Sequence, residues 1–368
     1  MKRQITIDAR WLRGGIGTYT EHLLEGLSKS RNGFEVEAIT RPEHAETVRQ
    51  WCPRMHIVDV PIYTLAEQFA VPKVANGADL LHVPHYNVPL FHRGPLLVSI
   101  LDVIHISDPA YKNNLMVQLY ARPMLHLAAR KASHIVTISE FSKAQIVEHL
   151  GVDPDKITAI HCGVNGQFRC GDREEASKEV LQHLGIRQPY ILYVGNLKPH
   201  KNVPVLLRAF ALLRSRISIP HGLVVLGDDR KGSLALSREC EKLKISDATV
   251  LIPRVPARVL PNLYAAADLL VMPSRVEGFG LPVLESMASG TPVICSRAAS
   301  LPEVGADAVL YFDPQDADEL ASLMQSVLES PDLHADLRMR GLARARELTW
   351  KQSVQRHLEV YGQVLEKG

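Results

Sequence analysis

Short apolar runs rich in β-branched residues recur along this chain at residues 4–7, 35–39, 80–83, 96–100, 134–138 and 156–160. Amphipathic segments with helical spacing, such as 18–28, 116–132 and 142–150, lie between them. Brief apolar runs separated by helical crossovers are the pattern of a parallel α/β sheet covered on both faces. The rhythm restarts beyond Gly171, with runs at 190–194, 222–226, 249–252, 269–272 and 292–295, and helical segments near 203–215, 233–244 and 316–329. Two doubly wound α/β domains are expected, 1–170 and 171–349, meeting near 165–187. The last segment places Val354, Leu358, Tyr361 and Leu365 at helical spacing and reads as a closing helix.

A chain of 368 residues exceeds what one core usually organises, which agrees with two domains. With 46% hydrophobic and 22% charged residues the composition is that of a folded globular protein, so disorder is not expected. Cys52, Cys162, Cys170, Cys240 and Cys295 are scattered, odd in number and without a C-x-x-C pair, so reduced thiols are expected rather than disulfides or a zinc site. Met1 runs directly into a strand with no leader pattern, and no apolar run reaches about 18 residues. The expected location is cytoplasmic. A net charge of +2 argues against nucleic acid as a partner, while leaving room for a local basic face at the inner surface of a membrane.

Chemistry concentrates in the stretch from Pro273 to Ile294, where Glu277 and Glu285 lie eight positions apart across Gly278-Phe279-Gly280-Leu281. Pro282 suits the first helical position, where no amide hydrogen is needed, and Gly290 the residue past the helix end. Gly278 and Gly280 allow close backbone approach, and the helix N-terminus favours phosphate. Carboxylates beside a diphosphate would repel it unless they accept hydrogen bonds from hydroxyls on either side, as a ribose and a sugar would supply. A second loop, Gly195-Asn196-Leu197-Lys198-Pro199-His200-Lys201, follows the first strand of the second half, and Lys201 can place a compact positive charge on a leaving diphosphate. Taken alone it is an ordinary surface lysine. The first glycine loop, Gly14-Gly15-Ile16-Gly17, follows the first strand without G-x-G-x-x-G spacing, and reads equally as a tight turn or a ligand contact. No D-x-D motif of a metal-dependent type is evident: the adjacent Asp228-Asp229 is followed by Arg230-Lys231 and reads as a strand-end loop, so no metal or cofactor is expected.

The E-x7-E stretch, with the two glycine loops and the terminal Trp350 segment, closely resembles the donor-site pattern of retaining glycosyltransferases of family GT4. The resemblance spans most of the chain. It implies the GT-B fold, two Rossmann-like domains facing across a cleft, with the 350–368 helix returning to the first. It further implies that Glu277, with the backbone at Phe279, Gly280 and Leu281, holds the transferred sugar, and that Glu285 holds the ribose diol. Lys201, Gly195 and Asn196 would lie by the diphosphate, with Gly15 and Gly17 near the phosphates and acceptor, and Arg254 and Val255 would read the nucleobase through backbone groups. Two departures stand out. Asn196 occupies a position where the family commonly has arginine, and Leu101 one where it usually has a histidine that touches the donor sugar. Asp102 matches the family aspartate, and His82, His85 and His105 are nearby candidates to replace the histidine on the acceptor side.

The implied activity is transfer of a hexose, with retention, from a nucleoside-diphosphate sugar to a glycan or lipid-linked glycan hydroxyl. The opening segment most resembles bacterial mannosyltransferases of polysaccharide and O-antigen assembly, so GDP-mannose leads as donor and a UDP-sugar is second. The alternatives are a nucleotide-sugar-binding protein with weak or lost transfer, which Leu101 and Asn196 permit, and a GT-B hydrolase or epimerase.

Overall fold

A computed structural model describes residues 2–30, 33–109 and 114–367, which divide into two compact units: Met1–Gly163 with Trp350–Gly368, and Val164–Thr349. Gly368, the last position of the expected closing segment, lies outside the described residues.

The first unit is built on a seven-stranded parallel sheet. Its strands are β1 (Arg3–Asp8), β2 (Phe34–Thr40), β3 (Met55–Ile57), β4 (Leu80–Val83), β5 (Leu96–Ser99), β6 (His134–Thr137) and β7 (Ile157–Ala159), in the order β3-β2-β1-β4-β5-β6-β7. Ile5, Ile7, Leu80, Leu81, Leu97 and Val98 are wholly buried, as expected for strands covered on both faces. The helix predicted over 116–132 is interrupted: Val117–Ala121 forms a π turn that leads into the α-helix Arg122–Lys131. Pro123, which has no N–H to give and whose ring crowds the preceding turn, accounts for the widening.

The closing helix Trp350–Lys367 packs on the helix Gly14–Lys29 of this unit. Contact is close because Gly26 has no side chain; a Cβ there would lie 2.4 Å from Val354 Cγ2. A buried hydrogen-bond chain ties this helix to the sheet. His357 Nδ1 is 2.7 Å from the Ser353 carbonyl, which can only accept, so the proton sits on Nδ1 and Nε2 accepts from the Tyr19 hydroxyl at 2.6 Å. Tyr19 then accepts from Ser99 Oγ at 3.0 Å, Ser99 accepts from His82 Nε2 at 2.8 Å, and His82 Nδ1 accepts from the Tyr361 hydroxyl at 2.8 Å. Every member is neutral and each donor is used. His82 is thus corrected from an acceptor-side candidate to a core residue with no exposed surface, because both ring nitrogens are committed inside the unit.

The second unit holds a six-stranded parallel sheet. Its strands are β8 (Tyr190–Val194), β9 (Gly222–Leu226), β10 (Thr249–Ile252), β11 (Leu269–Met272), β12 (Val293–Ser296) and β13 (Leu310–Phe312), ordered β10-β9-β8-β11-β12-β13. Residues 164–170 belong to this unit: Val164 bridges to Thr349 and the Phe168 ring lies 5.6 Å from that of Tyr264. The boundary therefore falls at Gly163, earlier than the restart of the strand rhythm suggests.

Candidate functional site

In each sheet the strand order reverses once, between β1 and β4 in the first unit and between β8 and β11 in the second. Loops leaving the carboxyl ends of the strands diverge at such a point and open a crevice.

In the second unit β8 runs into Gly195 and β11 into Pro273-Ser274. The loop after β8 packs backbone to backbone with its neighbour, since a Cβ on Gly227 would lie 2.4 Å from the Gly195 carbonyl oxygen. Asn196 shapes this loop: its carbonyl accepts from Tyr193 Oη at 2.7 Å and its side chain accepts from the Lys198 amide at 3.2 Å. Asn202, in the left-handed region at φ 56°, donates from Nδ2 to the carbonyls of Pro273 (3.1 Å) and Pro314 (2.7 Å). Arg275 completes the tie, donating from Nη2 to Asn202 Oδ1 at 3.0 Å and from its amide to the His200 carbonyl at 2.8 Å.

These ties bring Lys201 and Glu277 together. Lys201 Nζ donates to Glu277 Oε1 at 2.5 Å, and Ser274 Oγ donates to the same oxygen at 3.1 Å. The side chains retain 13% and 8% of their surface, so the pair is largely shielded yet still reachable. The sequence places these groups on different parts of a ligand; the structure joins them directly. Beyond Glu277, Ser300 Oγ engages the carbonyls of Glu277 (2.9 Å) and Phe279 (3.0 Å), which sets the course of the loop. The Phe279 side chain is buried and anchors the loop in the core. Gly280 caps the helix Leu281–Ala288 at φ 106°, and a Cβ there would lie 2.7 Å from Leu301 Cδ2. Pro282 takes the second helical position, where its missing amide hydrogen is equally harmless, and Gly290 follows the Ser289 cap at φ 78°.

Glu285 lies on that helix and accepts from the Tyr264 hydroxyl at Oε2, 2.7 Å. Burial pushes its carboxyl up to about 7, with the Tyr264 bond pulling the other way. Arg254 follows the edge strand β10; its guanidinium Nε donates to Asp228 at 2.6 Å and its side chain is exposed, so only the backbone at Arg254 and Val255 faces the role expected of it.

In the first unit, Arg10 after β1 is held by Asp8 (Nη2–Oδ2 2.8 Å) and by Glu67 (Nη1–Oε2 3.1 Å), all three buried. Burial opposes the charge on Arg10, but the two carboxylates outweigh it and raise its pKa. Glu67 also accepts from Asn87 Nδ2 at 2.6 Å, and the Tyr120 hydroxyl bonds to Asn87 Oδ1. His85 Nδ1 accepts from the Asn87 amide at 2.9 Å, leaving Nε2 to donate to the Tyr63 hydroxyl at 3.2 Å. Its burial holds the ring neutral, with a pKa near 4. A small concavity opens here between Trp11, Ile16, His85 and Asn87. Sequence reasoning missed Arg10, Glu67 and Asn87; a charged Asp8-Ala9-Arg10 triplet at a strand end was the available signal.

Gly15 opens onto free space, whereas a Cβ on Gly17 would lie 2.4 Å from the Leu12 carbonyl carbon. Gly17 is therefore corrected from a ligand contact to a packing glycine: it is buried against its own turn. After β5, the Leu101 carbonyl accepts from Thr137 Oγ1 at 3.2 Å, and Asp102 Oδ1 accepts from the Ile104 amide at 3.1 Å, which starts the short helix bearing exposed His105. Among the described residues no group of three or more His, Cys, Asp or Glu is arranged to hold a metal ion, and no helix is long and apolar enough to cross a membrane.

Comparison with known proteins agrees with this arrangement. Residues 177–344 match the model of the glycosyl transferases group 1 and residues 13–168 that of glycosyltransferase family 4. O-antigen chain mannosyltransferase B of Escherichia coli is 30% identical over 77% of this chain and 74% of its own length. A D-inositol 3-phosphate glycosyltransferase of Nocardia farcinica is 31% identical over 96% of this chain and 85% of its own. Among solved structures, Anabaena Alr3699/HepE in complex with UDP and glucose superposes with a TM-score of 0.80 at 19% identity, covering 98% of this chain and all of that one. Sequence likeness along both units and the shared architecture lead to one assignment: the chain belongs to the group 1, family 4 glycosyltransferases and has their GT-B fold.

Proposed function

We propose that this glycosyltransferase moves a hexose, mannose in the first instance, from a nucleoside-diphosphate sugar to a hydroxyl of a glycan or lipid-linked glycan, with retention at the anomeric carbon. The observation that carries the reading is the Lys201–Glu277 pair at the β8/β11 switch point, with Glu285 on the helix beyond it. An ammonium has three donors, and Lys201 gives one to Glu277 Oε1, so two remain for phosphate oxygens. Glu277 Oε2 takes part in neither of the bonds made by Oε1 and is left to accept from a sugar hydroxyl. Each group thus orients the other while keeping capacity for the ligand. Glu285, with Oε1 outside the Tyr264 bond, accepts from the ribose diol.

In the reaction the bond from the anomeric carbon to the diphosphate oxygen breaks, and a bond to the acceptor oxygen forms on the same face. The acceptor's proton passes to the departing phosphate oxygen. Lys201 and the N-terminus of the helix Leu281–Ala288 stabilise the negative charge that develops there. The reading assigns that charge to the protein rather than to a metal, so a chelator is expected to leave transfer unchanged. The backbone carbonyl of Leu101, oriented by Thr137, is offered to the reacting face in place of the histidine side chain. GDP-mannose is preferred because the Escherichia coli relative is named a mannosyltransferase, while the UDP in the HepE complex keeps a UDP-sugar as the second donor. The protein would act in the cytoplasm.

Calorimetric titration with GDP, UDP and ADP, beside Glu285→Ala, tests the donor site. Selective binding of one diphosphate that the variant loses supports it; no binding by any sinks it. Asn196 tied into its own loop and leucine at position 101 favour a second reading, a donor-binding protein with weak transfer. That reading wins if the native protein binds a nucleotide sugar without turnover and Leu101→His restores transfer by about tenfold or more.

A further inference from the structure

The helix Leu260–Ala266 contributes nothing to the glycine loops, yet its Tyr264 reaches Glu285. Tyr264 has no exposed surface, and a buried tyrosine needs a partner for its hydroxyl. Here the partner is a carboxylate oxygen, Glu285 Oε2, at 2.7 Å. Burial, with the neighbouring carboxylate, holds the phenol well above its ordinary value, so the hydroxyl keeps its proton and donates. A bond to an ionised acceptor is roughly twice as strong as one between neutral groups.

More than the ring sets the aim of that hydroxyl. Tyr190 Oη donates to the Leu263 carbonyl at 2.7 Å, and Thr291 Oγ1 donates to the Tyr264 carbonyl at 2.7 Å. Ser286 Oγ donates to the Thr291 carbonyl at 3.1 Å, which leads back to the helix bearing Glu285. Tyr190, Thr291 and Ser286 are all buried, so the two helices are held in register where water does not compete. The buried Phe168 ring packs edge-on against that of Tyr264, at 5.6 Å and 83°. Charged and titratable groups on the other packed elements are engaged elsewhere or exposed. Tyr193 donates to the Asn196 carbonyl, and burial keeps the Cys295 thiol neutral. On the helix Pro331–Glu347, His334 pairs with the Asp268 carbonyl, Arg338 with Cys170 Sγ, Arg340 with Asp336, and Arg344 with Glu347 and the Glu303 carbonyl; Asp332 and Arg346 are exposed.

We infer that Tyr264, backed by Phe168, is the positioning residue that fixes Glu285 for a ribose diol and so makes the donor site selective for ribonucleotides over deoxyribonucleotides. With Oε2 held by Tyr264, Oε1 is the oxygen turned to the 2′- and 3′-hydroxyls. The same bond favours the ionised carboxyl against its burial, and an ionised carboxyl is the better acceptor. Tyr264 acts through Glu285, so its role rests on the donor-site reading given above.

Calorimetric titrations of the whole protein with GDP and UDP, each beside its 2′-deoxy counterpart and at several pH values on both sides of the Glu285 transition, test it. The native protein should favour the ribonucleotide by about tenfold, the worth of one hydrogen bond to a charged group. Tyr264→Phe removes the hydroxyl alone, and should lower that preference to about threefold or less. It should also move the pH at which affinity levels upward from about 7, because the carboxyl loses the bond that favours its ionised form. A tyrosine that merely packed would shift the melting temperature and neither of these. Phe168→Leu keeps the hydroxyl but loosens the ring; it should lower the preference by about twofold, and it decides the question if Tyr264→Phe does not fold. A folded Tyr264→Phe with the native preference and the native pH profile overturns the assignment. Glu285→Ala separates the two levels. If it keeps the native ribose preference, the donor-site reading fails and the role of Tyr264 with it; if it loses the preference while Tyr264→Phe does not, only the role of Tyr264 falls.

Discussion

The two switch points use the same device, a lysine or arginine gathered with carboxylates at the carboxyl ends of parallel strands, to opposite ends. In the first unit Arg10 faces both Asp8 and Glu67, the three side chains keep 5% or less of their surface, and Asn87 Nδ2 and the Thr64 amide both donate to the other oxygen of Glu67. In the second unit Lys201 and Glu277 make a single contact and keep 13% and 8%. A charged cluster sealed by burial is closed to a ligand, whereas one that keeps some exposed surface and unused hydrogen-bonding capacity is open to it. The same topology with a different degree of burial separates a structural cluster from a candidate catalytic one.

Breaking the first cluster should have the largest effect. Arg10→Met leaves two buried carboxylates uncompensated and is expected to cost about 3–5 kcal/mol of stability, read by denaturant unfolding. A loss below about 1 kcal/mol would show that the cluster is not a sealed scaffold.

The buried histidine chain gives the first unit a pH-dependent stability of about 3 kcal/mol from His357 alone. Burial holds His357 near 4 and His82 well below its ordinary value. The unfolded chain therefore binds protons near pH 6.5 that the folded one refuses until about 4. Stability is complete above about pH 7 and falls as pH drops from 6.5 toward 4, in the direction set by both rings. Thermal midpoints measured across that range should decline, and a flat profile would contradict a neutral relay. Tyr19→Phe, which removes the proton donated to His357 Nε2, should make the ring easier to protonate and reduce the slope.

Glu277→Gln sharpens the contrast from the other side. The amide keeps the shape but frees Lys201 and replaces a carboxylate acceptor, so transfer should fall by about a hundredfold with the fold intact. Equal kcat/KM in the variant would remove Glu277 from the reaction.

The smallest effect is on binding. Ribose hydroxyls donate best to ionised Glu285, whose carboxyl lies near 7, so nucleoside-diphosphate affinity should rise with pH up to about 7 and level above it. Below that the total decline is expected to reach about fivefold to tenfold, the worth of one hydrogen bond. Titrations at several pH values would show this slope, and Glu285→Gln should flatten it.

Eleven of the strands are anticipated from apolar runs, and the two that are not, β3 and β13, are three-residue strands at sheet edges: His56 interrupts β3, while β13 ends the apolar run 308–312 that the sequence reading passed over. Three residues carry no periodicity to detect. The loop around Glu277 is legible because its cues are local, with glycine at φ 106°, proline in the first turn and glycine past the cap. His82 shows the limit of proximity along the chain as a guide. It lies three residues before His85, yet strand alternation and the Trp350–Lys367 helix enclose the one while the other reaches the concavity.

The amino-acid sequence by itself determined the two parallel α/β halves, the glycine turns and the helix bearing Glu285, since each depends on residues within a few positions of one another. Tertiary structure decided that Lys201 meets Glu277 across 76 residues and that Tyr361 closes on His82 across 279. Backbone periodicity is set by local sterics and burial, but which charges end up partnered, sealed or exposed follows only once distant strands have been laid side by side.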